Sequence, residues 1–327
     1  MLSFLQSIFG RSATTGSYPE TLIKAAIERA VDGTDPWIRA VPGYKKKLRP
    51  AVLRAIDHVV TLVDGMASPI LVEPDIYDSD PRLHTFFIST ADMQKTLDND
   101  RNLVNFLIEH EKTLPRIYAL LAMERQERIF LGAELSGDIV QRDVPQTVVS
   151  FEAHRLIDPA ESESKTRHQL KRRAFDHLLI LALRRIAIVK TEHEKLERYR
   201  ALLQSKLNLL HRSGWGFNKT DIDEQLDVDD MENLLGRIET NLLELGGDNN
   251  MIEAYMGIVT DVLSHPEENL WFRKETLIVD RMGIKRSKGA SGTIELTLDA
   301  ICNSEGHSLV TLLVALSGEM VQSGRGK

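Results

Sequence analysis

Eleven residues alternate four and three apart from Phe175 to Leu210: Phe175, Leu179, Ala182, Ile186, Val189, His193, Leu196, Arg200, Leu203, Leu207 and Leu210. Nine of them are apolar. A 3.5-residue period held this long fits one fold element only, a long helix whose apolar seam lies against another helix. The pattern begins near Glu161 and stops at Ser213-Gly214, where glycine ends helices readily. Near its start Leu178, Ile180, Leu181, Leu183 and Ile188 widen the stripe, so burial on several sides is expected there. Further along the stripe narrows and charge takes over, which suits a single partner.

That partner is either internal or a second chain. Glu161–Arg212 holds 13 Lys/Arg against 6 Asp/Glu, whereas Lys219–Glu253 holds 2 against 11. A basic helix followed by acidic helices, Val228–Leu245 and Asn250–Leu263, predicts an antiparallel hairpin with complementary sides. The same seam, carried by Ile186, Val189, Leu196, Leu203, Leu207 and Leu210, would equally serve self-association or a protein partner.

The flanking sequence is α+β in texture. Leu22, Ile23, Ala26, Ile27 and Ala30 form one helical stripe closed by Asp32-Gly33; Val52, Leu53, Ile56, Val59, Val60 and Val63 form another, with Pro50 in the first turn. A third helix is expected from its Ser89 cap through Met93, Leu97 and Val104 to Ile108, and Ser68–Asp80 reads as an irregular connection. After Pro115 come short segments of strand character, Ile117–Glu124, Arg128–Leu135 and Gln146–His154, punctuated by Gly137-Asp138 and Val144-Pro145. After Pro266 the texture returns: Thr293–Cys302 alternates, with Ile294, Leu296, Leu298 and Ala300 on one face, and Asn303–Gly306 makes a hairpin loop to a strand at His307–Leu316.

The expected organisation is therefore an amphipathic segment and linker at 1–17, a helical domain at 18–115, a β domain from 116–160 and 266–320, and a coiled-coil-like helical insertion at 161–265. The two β regions are expected to join in one antiparallel sheet or open barrel, since each alone would leave exposed edges.

Composition narrows the function classes. A net charge of −7 argues against a protein devoted to nucleic acid. The single cysteine, Cys302, allows no internal disulfide and no cysteine-rich zinc site, which fits a reducing, cytoplasmic setting. Met1–Gly10 lacks the basic start and long apolar run of a signal peptide, and no stretch approaches the roughly 18 apolar residues of a spanning helix.

Four groups of residues carry possible chemistry. Asp221, Asp223, Gln225, Asp227, Asp229 and Glu232 fall on the oxygen positions of a calcium loop, but Leu226 stands where that loop needs glycine, and an acidic helix cap explains them as well. Lys285, Arg286, Lys288, Gly289 and Gly292 could converge cations and backbone amides on a phosphate, although the order lacks a P-loop ending; a solvated hairpin is the plain alternative. Lys45–Arg49 and Lys171–Arg173 are basic runs without interleaved aromatics, suited to an acidic partner, an anionic membrane surface or simple salt bridges. Asp143 and His154 could meet across a meander as an acid–base pair, though no nucleophile accompanies them, and the histidines share no metal-ligand spacing. No catalytic residue, metal or cofactor is assigned. The expected function is a non-enzymatic scaffold or regulatory interaction protein working through the long helix. A phosphate-ligand- or nucleic-acid-binding protein or enzyme using the 285–292 loop, and a peripheral membrane protein held by Met1–Phe9 and Lys45–Arg49, are the alternatives.

Overall fold

The computed structural model describes residues 18–110, 114–136, 139–212, 222–244, 248–290 and 292–319. In chain order come α1 (Glu20–Asp32), a 3₁₀ turn (Pro36–Ala40), α2 (Tyr44–Asp64), β1 (Ile70–Val72), α3 (Pro74–Tyr77), α4 (Pro81–Phe86), α5 (Thr90–Asp98) and α6 (Arg101–Glu109). Then follow β2 (Arg116–Ser136), β3 (Ile139–Ala160), α7 (Glu163–Arg212), α8 (Ile222–Glu244), α9 (Asp248–Ser264), α10 (Pro266–Asn269), β4 (Leu270–Asp280), β5 (Thr293–Asn303) and β6 (Ser308–Ser317). The α+β class, the helical N-terminal region and the helical hairpin interrupting the β region are all present.

Short polar side chains set where the small helices begin. Asp80 accepts from the Arg82 amide at 2.9 Å, Ser89 from Asp92 at 3.1 Å and Asp100 from Leu103 at 2.9 Å, each supplying an acceptor to an orphan first-turn amide. The last of these divides the helix expected from Ser89 to Ile108 into two, because Asp100 competes better as a cap than as a helix interior. Another boundary also moves. α2 starts at Tyr44, so Pro50 stands in its second turn rather than its first and the run Lys45–Arg49 lies on the helix.

The chain divides into two compact units. One draws on Asp57–Ala174 and the chain from Glu267; the other draws on the chain up to Ile56 and on Phe175–Pro266. The linear division at 115, 160 and 265 differs because α2 and α7 each lend a stretch to both units, and nothing in composition marks a boundary inside a helix.

In the first unit the strands run β3-β2-β6-β5-β4, with β1 added to β6. β2 pairs along β6 from Arg116 to Met123, while β5 takes the other edge of β6 only at Ser308–Thr311. Parallel β1 fills the remainder of that edge, Ile70 opposite Val314. This strand lies in the Ser68–Asp80 segment read as irregular; three residues are too few for an alternation to register.

Val144-Pro145 does not end a strand. β3 runs through it and instead carries three register shifts against β2, at Tyr118/Leu120, Ala122/Glu124 and Gly132/Glu134. Each coincides with a non-glycine residue at positive φ, Asp158 at 51°, Ala153 at 52° and Asp143 at 58°. One extra residue on one strand is a β-bulge, which bends the strand and raises its twist. The bend brings β3 round to residues 283–286, where the Lys285 amide donates to Thr147 O and the Val149 amide to Gly283 O, both at 2.8 Å. The Arg286 amide in turn donates to Ile278 O of β4 at 3.0 Å. The two end strands of the sheet are thus joined through this segment, which removes part of their open edges.

One face of the sheet (Ile117, Leu121, Met123, Phe151, Leu298, Val314) buries its apolar side chains with Tyr77, Leu83, Phe86, Phe87, Met93, Leu97, Leu103 and Phe106 of α3–α6 and their connections. On the other face Leu120 and Leu313 meet Val63 of α2 and Leu170 of α7. The stretch 117–123 is apolar on both sides for this reason.

Candidate functional site

The seam of α7 is occupied. In the second unit Phe175, Leu179, Ala182, Ile186, His193, Leu203 and Leu207 are buried, and Val189 and Leu196 half-buried. The distal part packs on α8, where Leu203, Ile238 and Leu242 form a cluster edged by Leu196, Met231 and Leu235. The α8 residues repeat the 4-3-4 spacing of α7, so the two helices interlock along one stripe. The side chain of Leu210 lies outside the described residues. Of the charge complementarity between α7 and the acidic helices, the Arg185–Asp261 pair to α9 at 3.2 Å is realised.

Outside the seam α7 leaves further apolar side chains at the surface. Ile180, Leu183, Ile188, Tyr199 and Leu202 are all exposed, Ile188 at 64% and Leu202 at 54%. At 3.6 residues per turn Ile180, Ile188 and Leu202 lie on the side away from the seam, whereas Leu183 and Tyr199 flank it on either side, beside Leu179 and Leu203; the five extend along about 33 Å of helix. Arg184, Lys195, Arg198 and Lys206 fall on the same side of the wheel as Ile188 and Leu202; Glu192, which pairs with Lys195 at 2.8 Å, and Glu194 border it. The exposed face is therefore apolar and basic.

Most residues of the basic clusters elsewhere face a carboxylate. Lys45 bonds Glu28 at 2.9 Å, and this bond, with others from Tyr44 and Arg39, lowers the Glu28 pKa to about 2. Lys47 lies 3.8 Å from Glu253, Arg49 binds Glu20, Lys171 binds Asp64 at 2.8 Å and Arg173 binds Asp158 at 2.7 Å. In the loop of glycines, Lys285 holds both oxygens of Glu127 at 2.7 Å and keeps that carboxyl below its ordinary range. Arg286 bonds Asp280 at 3.0 Å, and Lys288 lies 3.9 Å from Glu295. The amides of Lys285 and Arg286 serve the sheet, while Gly289 and Gly292 adopt positive φ in the turn. An incoming phosphate would have to displace carboxylates from both cations.

Asp143 and His154 do not meet. Both lie on β3, eleven residues apart, which at about 3.3 Å per residue is about 36 Å along the strand. The acid–base pair is therefore excluded; a strand expected to turn back at Pro145 continues past it. The backbone is helical from Ile222, unlike the turning backbone of a calcium loop, and the side chains of Asp221–Asp229 lie outside the described residues. Asp221 and Met1–Phe9 lie outside the described residues. Among the described residues no cluster of metal-ligating side chains occurs, and no helix is long and apolar enough to cross a membrane.

His154 lies in a different constellation. The bulge at Ala153 offsets it from the regular alternation, and its ring stacks on Phe87 with centroids 4.8 Å apart. Nε2 donates to Phe86 O at 2.8 Å. Burial pushes its pKa below the ordinary histidine value, against the opposing influence of that carbonyl and of Asp92. His154 and Arg155 line an open cleft of about 560 Å³ with Asp92, Lys95, Thr96 and Asn99 of α5 and its cap, and with Asp100–Asn102 at the start of α6. Asp100 and Asn102 also tie α6 to β3: Asp100 accepts from the Leu156 amide at 2.8 Å, and Asn102 donates to Leu156 O at 2.5 Å. Sequence reading missed this cleft. Its one local signal was Asn99-Asp100, a helix break; the bulge that adds His154 and Arg155 has no signature in a single sequence. No protein-family model, no curated protein and no solved structure matches the chain.

Proposed function

We propose that the protein is a non-enzymatic interaction module that presents the outer face of α7 to an acidic amphipathic helix of a partner protein. The observation that carries the reading is that α7 keeps apolar side chains outside a seam already in use: the seam is packed inside the second unit, and Ile180, Leu183, Ile188, Tyr199 and Leu202 are left at the surface around the rest of the helix. Ile180, Ile188 and Leu202, spread over about 33 Å on the side away from the seam, suit the helix-in-groove mode of recognition, which reads apolar anchors along a helix, with Leu183 and Tyr199 at the margins. Charge selects the partner. Arg184, Arg198 and Lys206 would oppose their own copies in a homodimer, whereas acidic residues flanking a partner's anchors complement them.

The test is a photo-crosslinking residue placed at Ile188 or at Leu202, with the protein expressed in its own host. The expected product is a crosslink to a helical, acid-flanked segment of another protein, lost when Leu183 and Tyr199 are both replaced by Glu. Each buried anchor contributes about 1.5–3 kcal/mol, so the double replacement weakens the complex by at least a hundredfold. Crosslinks to a second copy of the chain, or none at either position, would contradict the proposal.

A further inference from the structure

We propose that the cleft between the Ala153–His154 bulge and the start of α6 binds a phosphate-bearing small molecule, held by Arg101 and Arg155 with Lys95 at the rim. This goes beyond the α7 reading and rests on none of its residues.

Most arginines of the described chain face a carboxylate: Arg29 with Asp176, Arg39 with Glu28, Arg82 with Asp80, Arg125 with Glu275. Arg101, Arg155 and Lys95 are exposed and have no ion-pair partner among the described residues, yet all three line one cleft. The two carboxylates beside them are engaged with backbone. Asp92 accepts from the Ile88 amide at 3.2 Å, and Asp100 accepts from Leu103 and Leu156. The first-turn amides of Arg101 and Asn102 find no acceptor among the described residues. Orphan amides at a helix start favour an anion, and guanidinium forks match the several oxygens of a phosphate better than a monatomic halide.

His154 adds a specific group. With Nε2 donating to Phe86 O, the neutral ring keeps Nδ1 as an acceptor without a partner among the described residues, suited to a hydroxyl of the ligand. The stacking on Phe87 and the bulge fix the ring in place. A volume of about 560 Å³ lies within the range of small-molecule sites, and the lining offers no exposed aromatic platform for nucleic-acid bases.

Inorganic pyrophosphate is the probe, titrated calorimetrically into the full chain in phosphate-free buffer at low ionic strength. The expected result is saturable binding at one site, at least tenfold weaker in R101S/R155S and unchanged in K285S/R286S. Arg101 and Arg155 are exposed and unpaired, so the double variant should melt at the wild-type temperature; a melting curve on the same sample verifies it. Vesicles of phosphatidic acid form the second arm and are expected not to co-sediment with the protein. Absence of saturable heat, equal affinity in R101S/R155S, loss in K285S/R286S instead, or binding to vesicles alone would each overturn the proposal.

Discussion

At the scale of single residues, the chemistry of this chain is set by which polar groups are already engaged. Lys285 and Arg286 look like an anion site in sequence, but each is neutralised by a carboxylate brought from elsewhere, Glu127 on β2 and Asp280 on β4. Lys95, Arg101 and Arg155, scattered over sixty residues, carry no such partner. His154 gives a testable pH signature. Its folded pKa is depressed by burial, so the unfolded chain takes up the proton first as pH falls. The stability of the neutral, buried ring is fully present above the unfolded value of about 6.5 and is lost as pH falls from there through the folded pKa. Urea midpoints measured from pH 8 to pH 5 should therefore fall more steeply for the wild type than for His154→Asn. Parallel curves would show that the ring does not titrate between the states. The position of His154 was legible as a histidine near a strand end; its surroundings were not, because they arise from Phe86 and Phe87, nearly seventy residues earlier.

Elements were legible in proportion to their length and period. The 4-3 spacing of α7 was visible because it persists over ten turns, and the Thr293–Cys302 alternation because one face of β5 is buried. β1, with three residues, carried no period, and the bulges of β3 left only apparent interruptions, Val144-Pro145 among them. A bulge needs no glycine: Asp143, Ala153 and Asp158 hold positive φ at about 1–2 kcal/mol each, offset by the pairing that the bend permits. The segment 283–286 that joins β4 to β3 is more demanding. Gly283 has φ of 75°, and a Cβ there would lie 2.9 Å from Val149 O, the backbone neighbour it pairs with. Gly283→Val should destabilise the first unit by about 2–3 kcal/mol through strain at both positions. Unchanged thermal melting of that variant would mean the join contributes nothing to the sheet.

At the scale of the molecule, two compact units divide the work differently from any linear reading. The first encloses an aromatic and aliphatic core between a sheet and four short helices and carries the cleft. The second is helical and carries the two-faced α7. The seam was legible in sequence, but whether it paired within the chain depended on α8, whose matching positions Met231, Leu235, Ile238 and Leu242 gain meaning only beside Leu196 and Leu203. Association is accordingly assigned to the opposite face. Adjacent residues separate the two faces most directly: Leu202 is 54% exposed and Leu203 7%. Thermal melting and partner crosslinking should be measured together for L202E and L203E. The account predicts that L202E melts with the wild type and loses the partner, whereas L203E, burying a charge in the α7–α8 cluster, lowers the stability of the second unit by about 3 kcal/mol or more. A normally melting L203E that has lost its partner would return association to the seam and contradict the account.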